Sequence, residues 1–99
     1  MPYYMIATID IHDREEYGKY EAGFLDVFSR YAGELVAVSD APDPVEGEWP
    51  HTRAVLLRFP DVEEARRWHQ STDYQNLAQH RYRASTSTII GLQGFEAPG

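Results

Sequence analysis

One pattern occurs twice in this chain, 48 residues apart. Each copy is an alternating apolar strand, then an Asp-x-x-Glu helix start, then a stripe of aromatic and small residues. Ile9 falls on Leu57, Ile11 on Phe59, Asp13 on Asp61, Glu16 on Glu64 and Tyr20 on Trp68. Period-2 alternation marks strands and 3.6-residue spacing marks helices, so the order reads β-α-β twice. Two such halves predict a ferredoxin-like βαββαβ sandwich: a four-stranded antiparallel sheet with its helices on one face. The whole chain, residues 1–99, reads as a single domain, long enough for a modest core.

The individual elements follow from local chemistry. In YYMIATIDI, Met5, Ala7, Ile9 and Ile11 share one face, with Tyr4, Ile6, Thr8 and Asp10 on the other. Asp13 is an expected N-cap, with Glu16 at capping-box spacing. Tyr17, Tyr20, Phe24, Val27, Phe28 and Tyr31 then form a helical stripe, and Gly33 is the expected stop. Residues 34–40 form a short strand. Residues 41–50 hold three prolines and a glycine and read as a loop. RAVLLRF is the clearest strand, and Pro60-Asp61 opens the next helix. Ser71-Thr72 interrupts that helix and starts another, with Tyr74, Leu77, Ala78, Arg81 and Tyr82 at helical spacing. Residues 85–95 form the last strand, and residues 97–99 a tail.

This fold leaves one sheet face without helices. Tyr4, Ile6, Thr8, Ala54 and Leu56 are too apolar to leave wet over a whole sheet. Packing two such faces together predicts a two-fold homodimer. Asp10 and Arg58, equivalent under the 48-residue shift, are expected side by side on that face.

Composition narrows the partners. Nine cations against sixteen acids give a net charge of −7, which opposes nucleic acid and anionic lipid surfaces. No cysteine is present, which excludes disulfides, thiolate catalysis and zinc–sulfur sites. No segment approaches a membrane span, and the N-terminus opens on a strand without a leader-like run, so a cytoplasmic protein is expected.

Candidate chemistry gathers in residues 46–75. The four histidines, His12, His51, His69 and His80, lack helical metal-site spacing, so neither a metal nor another cofactor is expected. Arg53 opens its strand on the helix-facing side. It is either paired with Glu16, Glu21 or a helix carbonyl, or it anchors a carboxylate or enolate. Tyr20, Phe24, Trp49, Trp68 and Tyr74 could wall a pocket for a planar organic ligand, with His51 beside them. Trp68 is equally explained as core. His80 and Arg81 could supply the polar end. No nucleophile elbow or glycine-rich phosphate cradle is present.

These residues resemble a bacterial family of small domains of unknown function within the dimeric α+β barrel superfamily. The resemblance rests on residues 13–20 (DREEYGKY), 46–50 (EGEWP) and 53–59. It continues through Pro60-Asp61 with Ala65 and Trp68, and Ser71 with Tyr74-Gln75. It covers nearly the whole chain and implies a ferredoxin-like protomer in a two-fold dimer, with no assigned activity. Family members often carry Pro where Arg14 and Thr72 stand here. Superfamily relatives oxidise or isomerise small aromatic and keto compounds in the sheet–helix cleft. By that likeness Arg53 would stabilise negative charge, and Tyr20 or His80 would transfer a proton. The alternative is a non-catalytic dimeric module that binds a metabolite or another protein.

Overall fold

A computed structural model describes residues 1–95, so the expected tail at residues 97–99 lies outside the described residues. Strand β1 (Tyr3–Ile11) is followed by helix α1 (Arg14–Phe28), β2 (Glu34–Ser39) and β3 (Arg53–Phe59). Helices α2 (Val62–His69) and α3 (Thr72–Ala84) lead into β4 (Ser85–Gln93). The sheet is antiparallel in the order β2-β3-β1-β4, the ferredoxin-like arrangement that the repeated pattern predicts. The final strand stops two residues short of expectation, at Gln93, where the Gly94 N–H instead donates to the Pro2 carbonyl at 2.7 Å.

The caps explain the boundaries. Asp13 accepts from the Glu16 amide at 3.1 Å, Asp61 from Glu64 at 2.8 Å and Ser71 from Tyr74 at 3.2 Å. Each satisfies one of the amides that a helix start leaves open. Arg14 and Thr72 thus occupy first-turn positions where proline is also at home, and the caps hold without it. The two glutamates do not fold back onto their caps. Glu16 turns to His80 and Arg83, and Glu64 to the Ala32 amide and Arg67.

Gly33 does not cap α1. That helix closes at Ser29, and Gly33 lies four residues further on. Its role is steric: a Cβ there would stand 2.5 Å from Phe28 and 2.8 Å from Phe59 ring carbons. Gly33→Ala should therefore destabilise by roughly 1–3 kcal/mol, as overpacking does, seen as a lower urea midpoint with an unchanged slope.

Asp10 and Arg58 are not neighbours. Because β1 and β3 run antiparallel, Arg58 sits across from Tyr4, and the shift-equivalent residues fall at opposite ends of the sheet. Arg58 pairs loosely with Glu34 at 3.7 Å, and Asp10 accepts from His51 Nδ1 at 3.1 Å.

The core lies between the sheet and the helices. Trp68, 1% exposed, is its centre. Its ring lies 4.2 Å from Tyr74, 5.3 Å from Phe28, 5.6 Å from Phe59 and 6.3 Å from Phe24, centroid to centroid. Such tilted and edge-on aromatic contacts add to the area that they bury. The opposite sheet face carries Tyr4, Ile6, Thr8, Ala54 and Leu56. β4 adds Ile90 and Leu92, which stand 48% and 47% exposed.

Candidate functional site

A cavity of about 240 Å³ lies under α1, against the helix-facing side of β1, β2 and β3. Met5, Ala7, Ile9, Val55, Leu57, Leu35 and Val38 form its sheet wall. Tyr17, Tyr20, Phe24 and Leu25 come down from α1, Trp68 from α2, and Tyr74 and Arg81 from α3. It is largely apolar, with few polar groups, the usual make-up of a small-molecule site.

Six of the expected site residues meet here: Tyr20, Phe24, Arg53, Trp68, Tyr74 and Arg81. Trp49 and His51 do not line it. Their rings meet edge to face, 5.0 Å apart, away from the cavity, where His51 holds Asp10. His80 also points elsewhere, to Glu16 at 2.5 Å. Tyr17 lines the cavity and was missed as a site residue, although its place in the α1 stripe was readable.

Arg53 is already neutralised. Its Nε donates to Asp40 at 2.6 Å and its Nη1 to Glu21 at 3.0 Å, while the guanidinium stands 5.2 Å from the Tyr17 ring centre. Asp40, ahead of Glu21, raises its pKa above the usual arginine range despite partial burial. Glu21 was a foreseen partner. Asp40 was not: it reads as the last residue of the second strand, but β2 ends at Ser39, and Asp40 turns beyond it to meet Arg53.

Arg81 is the contrasting case. It is 3% exposed, and no carboxylate reaches it among the described residues. Its Nη1 donates to the Ser87 hydroxyl, and its guanidinium lies 5.6 Å from the Tyr20 ring centre. Its Nε has no partner, nor does Nε1 of Trp68, another cavity-lining residue. Burial pulls the Arg81 pKa down, but the Tyr74 and Tyr20 oxygens outweigh that and hold the cation. Beside it the Tyr20 and Tyr74 hydroxyls share a hydrogen bond of 2.8 Å. Burial and then Tyr74 push the Tyr20 pKa well up, so its phenol stays protonated. A buried cation without a counter-ion, beside orphaned donors in an apolar cavity, is costly unless an anion completes it.

Among the described residues, no three His, Asp or Glu side chains converge as a metal site, and no helix is long and apolar enough to cross a membrane.

The family model described as "Domain of unknown function (DUF1330)" matches residues 2–95. The chain belongs to this family. No curated protein matches it. Among solved structures, it is similar to a protein of unknown function from Rhodopseudomonas palustris. That match has 19% identity and a TM-score of 0.77 over 97% of this chain and 84% of that one. SnoaB, a cofactor-independent oxygenase from Streptomyces nogalater, matches with 13% identity and a TM-score of 0.71 over 97% and 95%. A dimeric ferredoxin-like protein of unknown function from Thermobifida fusca matches with 11% identity and a TM-score of 0.66 over 93% and 90%. At these identities the likeness establishes the ferredoxin-like fold.

The Glu16 cluster ties α1 to α3 outside the cavity. His80 chiefly, then Arg83 and Lys19, lower its pKa from 4.5 to about 2. The folded value lies below the unfolded one, so this stabilisation is present above pH 4.5 and fades as pH falls toward 2. The thermal midpoint of wild type should fall across that window. Glu16→Gln should start lower at neutral pH and lose that part of the slope.

Proposed function

We propose that this protein binds a small, largely apolar organic acid in the sheet–helix cavity, without a metal. The observation that carries the reading is Arg81, a buried guanidinium with no carboxylate partner among the described residues, on the wall of an apolar cavity. A carboxylate or enolate there would supply the missing charge and an acceptor for Arg81 Nε. The aromatic walls from Tyr20, Phe24 and Trp68 suit a planar body. Arg53 acts as a structural cation that ties α1 to the end of β2.

A second reading, catalysis, is favoured by the Tyr20–Tyr74 hydroxyl pair within reach of Arg81. Arg81 would stabilise an enolate while that pair passes a proton. The likeness to a cofactor-independent oxygenase suits this reading. A thermal-shift comparison of aryl and alkyl acids with their neutral amides separates binding from its absence. Acids alone should stabilise the protein, and equal response to the amides would overturn the anion site.

The working unit in this reading is a homodimer packed through the open sheet face. Ile6, Leu56, Ile90 and Leu92 supply its apolar centre. Similar proteins described as dimeric support it. Light scattering at micromolar concentration should give twice the chain mass, and a monomer would overturn it.

A further inference from the structure

A second, polar cleft opens beside the cavity. It is lined by His69 at the end of α2, Arg81 and Tyr82 of α3, and Ser85, Ser87 and Ile89 of β4. Arg81 and Ile89 line both spaces. The guanidinium therefore stands at the partition, 5.6 Å from the Tyr20 ring on the inner side and 4.9 Å from the Tyr82 ring on the outer side. Its surroundings change from aliphatic and aromatic to hydroxyl and imidazole within one side chain.

The polar cleft offers a matched pair of hydrogen-bonding groups. Ser87 Oγ accepts from Arg81, which leaves its own hydrogen free to donate. The His69 ring packs 5.7 Å from Tyr74 and 5.9 Å from Trp68. Burial, and then the Arg81 charge, lower its pKa, so near neutrality it is an uncharged imidazole with one acceptor nitrogen. Tyr82 is committed to the Gln75 side chain at 3.0 Å. The Ser87 hydroxyl can donate, and the neutral His69 imidazole carries one donor and one acceptor nitrogen, so the pair beside the Arg81 guanidinium can both donate to and accept from an alcohol.

We propose that the polar cleft is a second recognition subsite and that the ligand is a 2-hydroxy acid. Its apolar body occupies the cavity, its carboxylate meets Arg81, and its hydroxyl lies between Ser87 and His69. This inference rests on the reading of Arg81 as the anion anchor. An acid without the hydroxyl gives up the hydrogen bonds to Ser87 and His69, which gives the subsite its selectivity.

The test compares two acids that differ by one hydroxyl, 3-phenyllactate and 3-phenylpropanoate, by calorimetric titration of the full chain. 3-Phenyllactate should bind about ten-fold tighter, the worth of one or two such hydrogen bonds. His69→Leu and Ser87→Ala, made separately, should each reduce that preference. Equal binding of the two acids to wild type, or a preference that survives both substitutions, overturns the subsite and leaves the cavity reading standing. Failure of both acids to bind wild type, or binding unaffected by Arg81→Met, overturns the cavity reading and the subsite together.

Discussion

Arg81→Met is expected to make the protein more stable and to remove its affinity for 3-phenylpropanoate. Methionine is long and flexible enough to fill the space that the arginine stem leaves. It forfeits the hydrogen bond to Ser87 and the contacts with the Tyr20 and Tyr82 rings. It also relieves a buried cation that, among the described residues, has no carboxylate partner and no acceptor for its Nε. Replacing buried charge with packed apolar atoms is often neutral or stabilising, here by about 1 kcal/mol. For a domain of this size that raises the thermal midpoint by roughly 4 °C or more. Binding should move the other way. Loss of one partner of a desolvated charge pair costs roughly 2–5 kcal/mol, or ~30-fold and upward in affinity. A stability gain paired with a binding loss is the signature of a residue kept for a ligand. A large stability loss with unchanged binding would make Arg81 a structural residue.

Trp68→Ala should come close to unfolding the protein. Truncating a fully buried tryptophan costs about 3–5 kcal/mol, out of a total that is itself only ~5–15 kcal/mol for a domain. Four aromatic rings converge on Trp68, from α1, β3 and α3, so no single element can shift to close the gap. The void would join the neighbouring cavity, which further prevents collapse. Urea unfolding should show the midpoint fall by at least roughly a fifth, and by most of its value if the total lies at the low end of that range. A loss below about 1 kcal/mol would mean that the core relaxes around the site, contrary to its packing.

The fold was legible because its signals are local and repeated. Asp13 and Asp61 cap their helices in the structure as their spacing suggests, and Ser71, at the expected interruption, caps the third. Alternation along Met5, Ala7 and Ile9 gives the buried face of β1. Gly33 was misread because a glycine after a helix has two uses, left-handed backbone or close approach. Only the rings of Phe28 and Phe59 distinguish them. The Asp10–Arg58 pair failed for a global reason, since a chain repeat related by a two-fold axis places equivalent residues at opposite strand ends.

The site was legible in composition more than in electrostatics. Helical spacing puts Tyr20 and Phe24 on one face of α1, and the fold sets Trp68 of α2 and Tyr74 of α3 against them. Which arginine is free could not be read this way. Arg53 looked exposed to function because Asp40 reads as a strand residue, whereas it turns just beyond the end of β2 onto Arg53. Arg81 had a readable sign, a charge on the apolar stripe of α3, but its lack of a carboxylate is a property of three-dimensional packing. The polar cleft has no sequence signal, because His69, Tyr82 and Ser87 belong to three different elements.

The most direct test of the account is a crystal of the protein soaked with 3-(4-bromophenyl)propanoate, located by the anomalous signal of bromine. One bromine per chain is expected inside the cavity, between Phe24 and the Val55–Leu57 wall. The carboxylate should lie against the Arg81 guanidinium. A bromine found only outside the cavity, or a carboxylate seated on Arg53 instead, would contradict it.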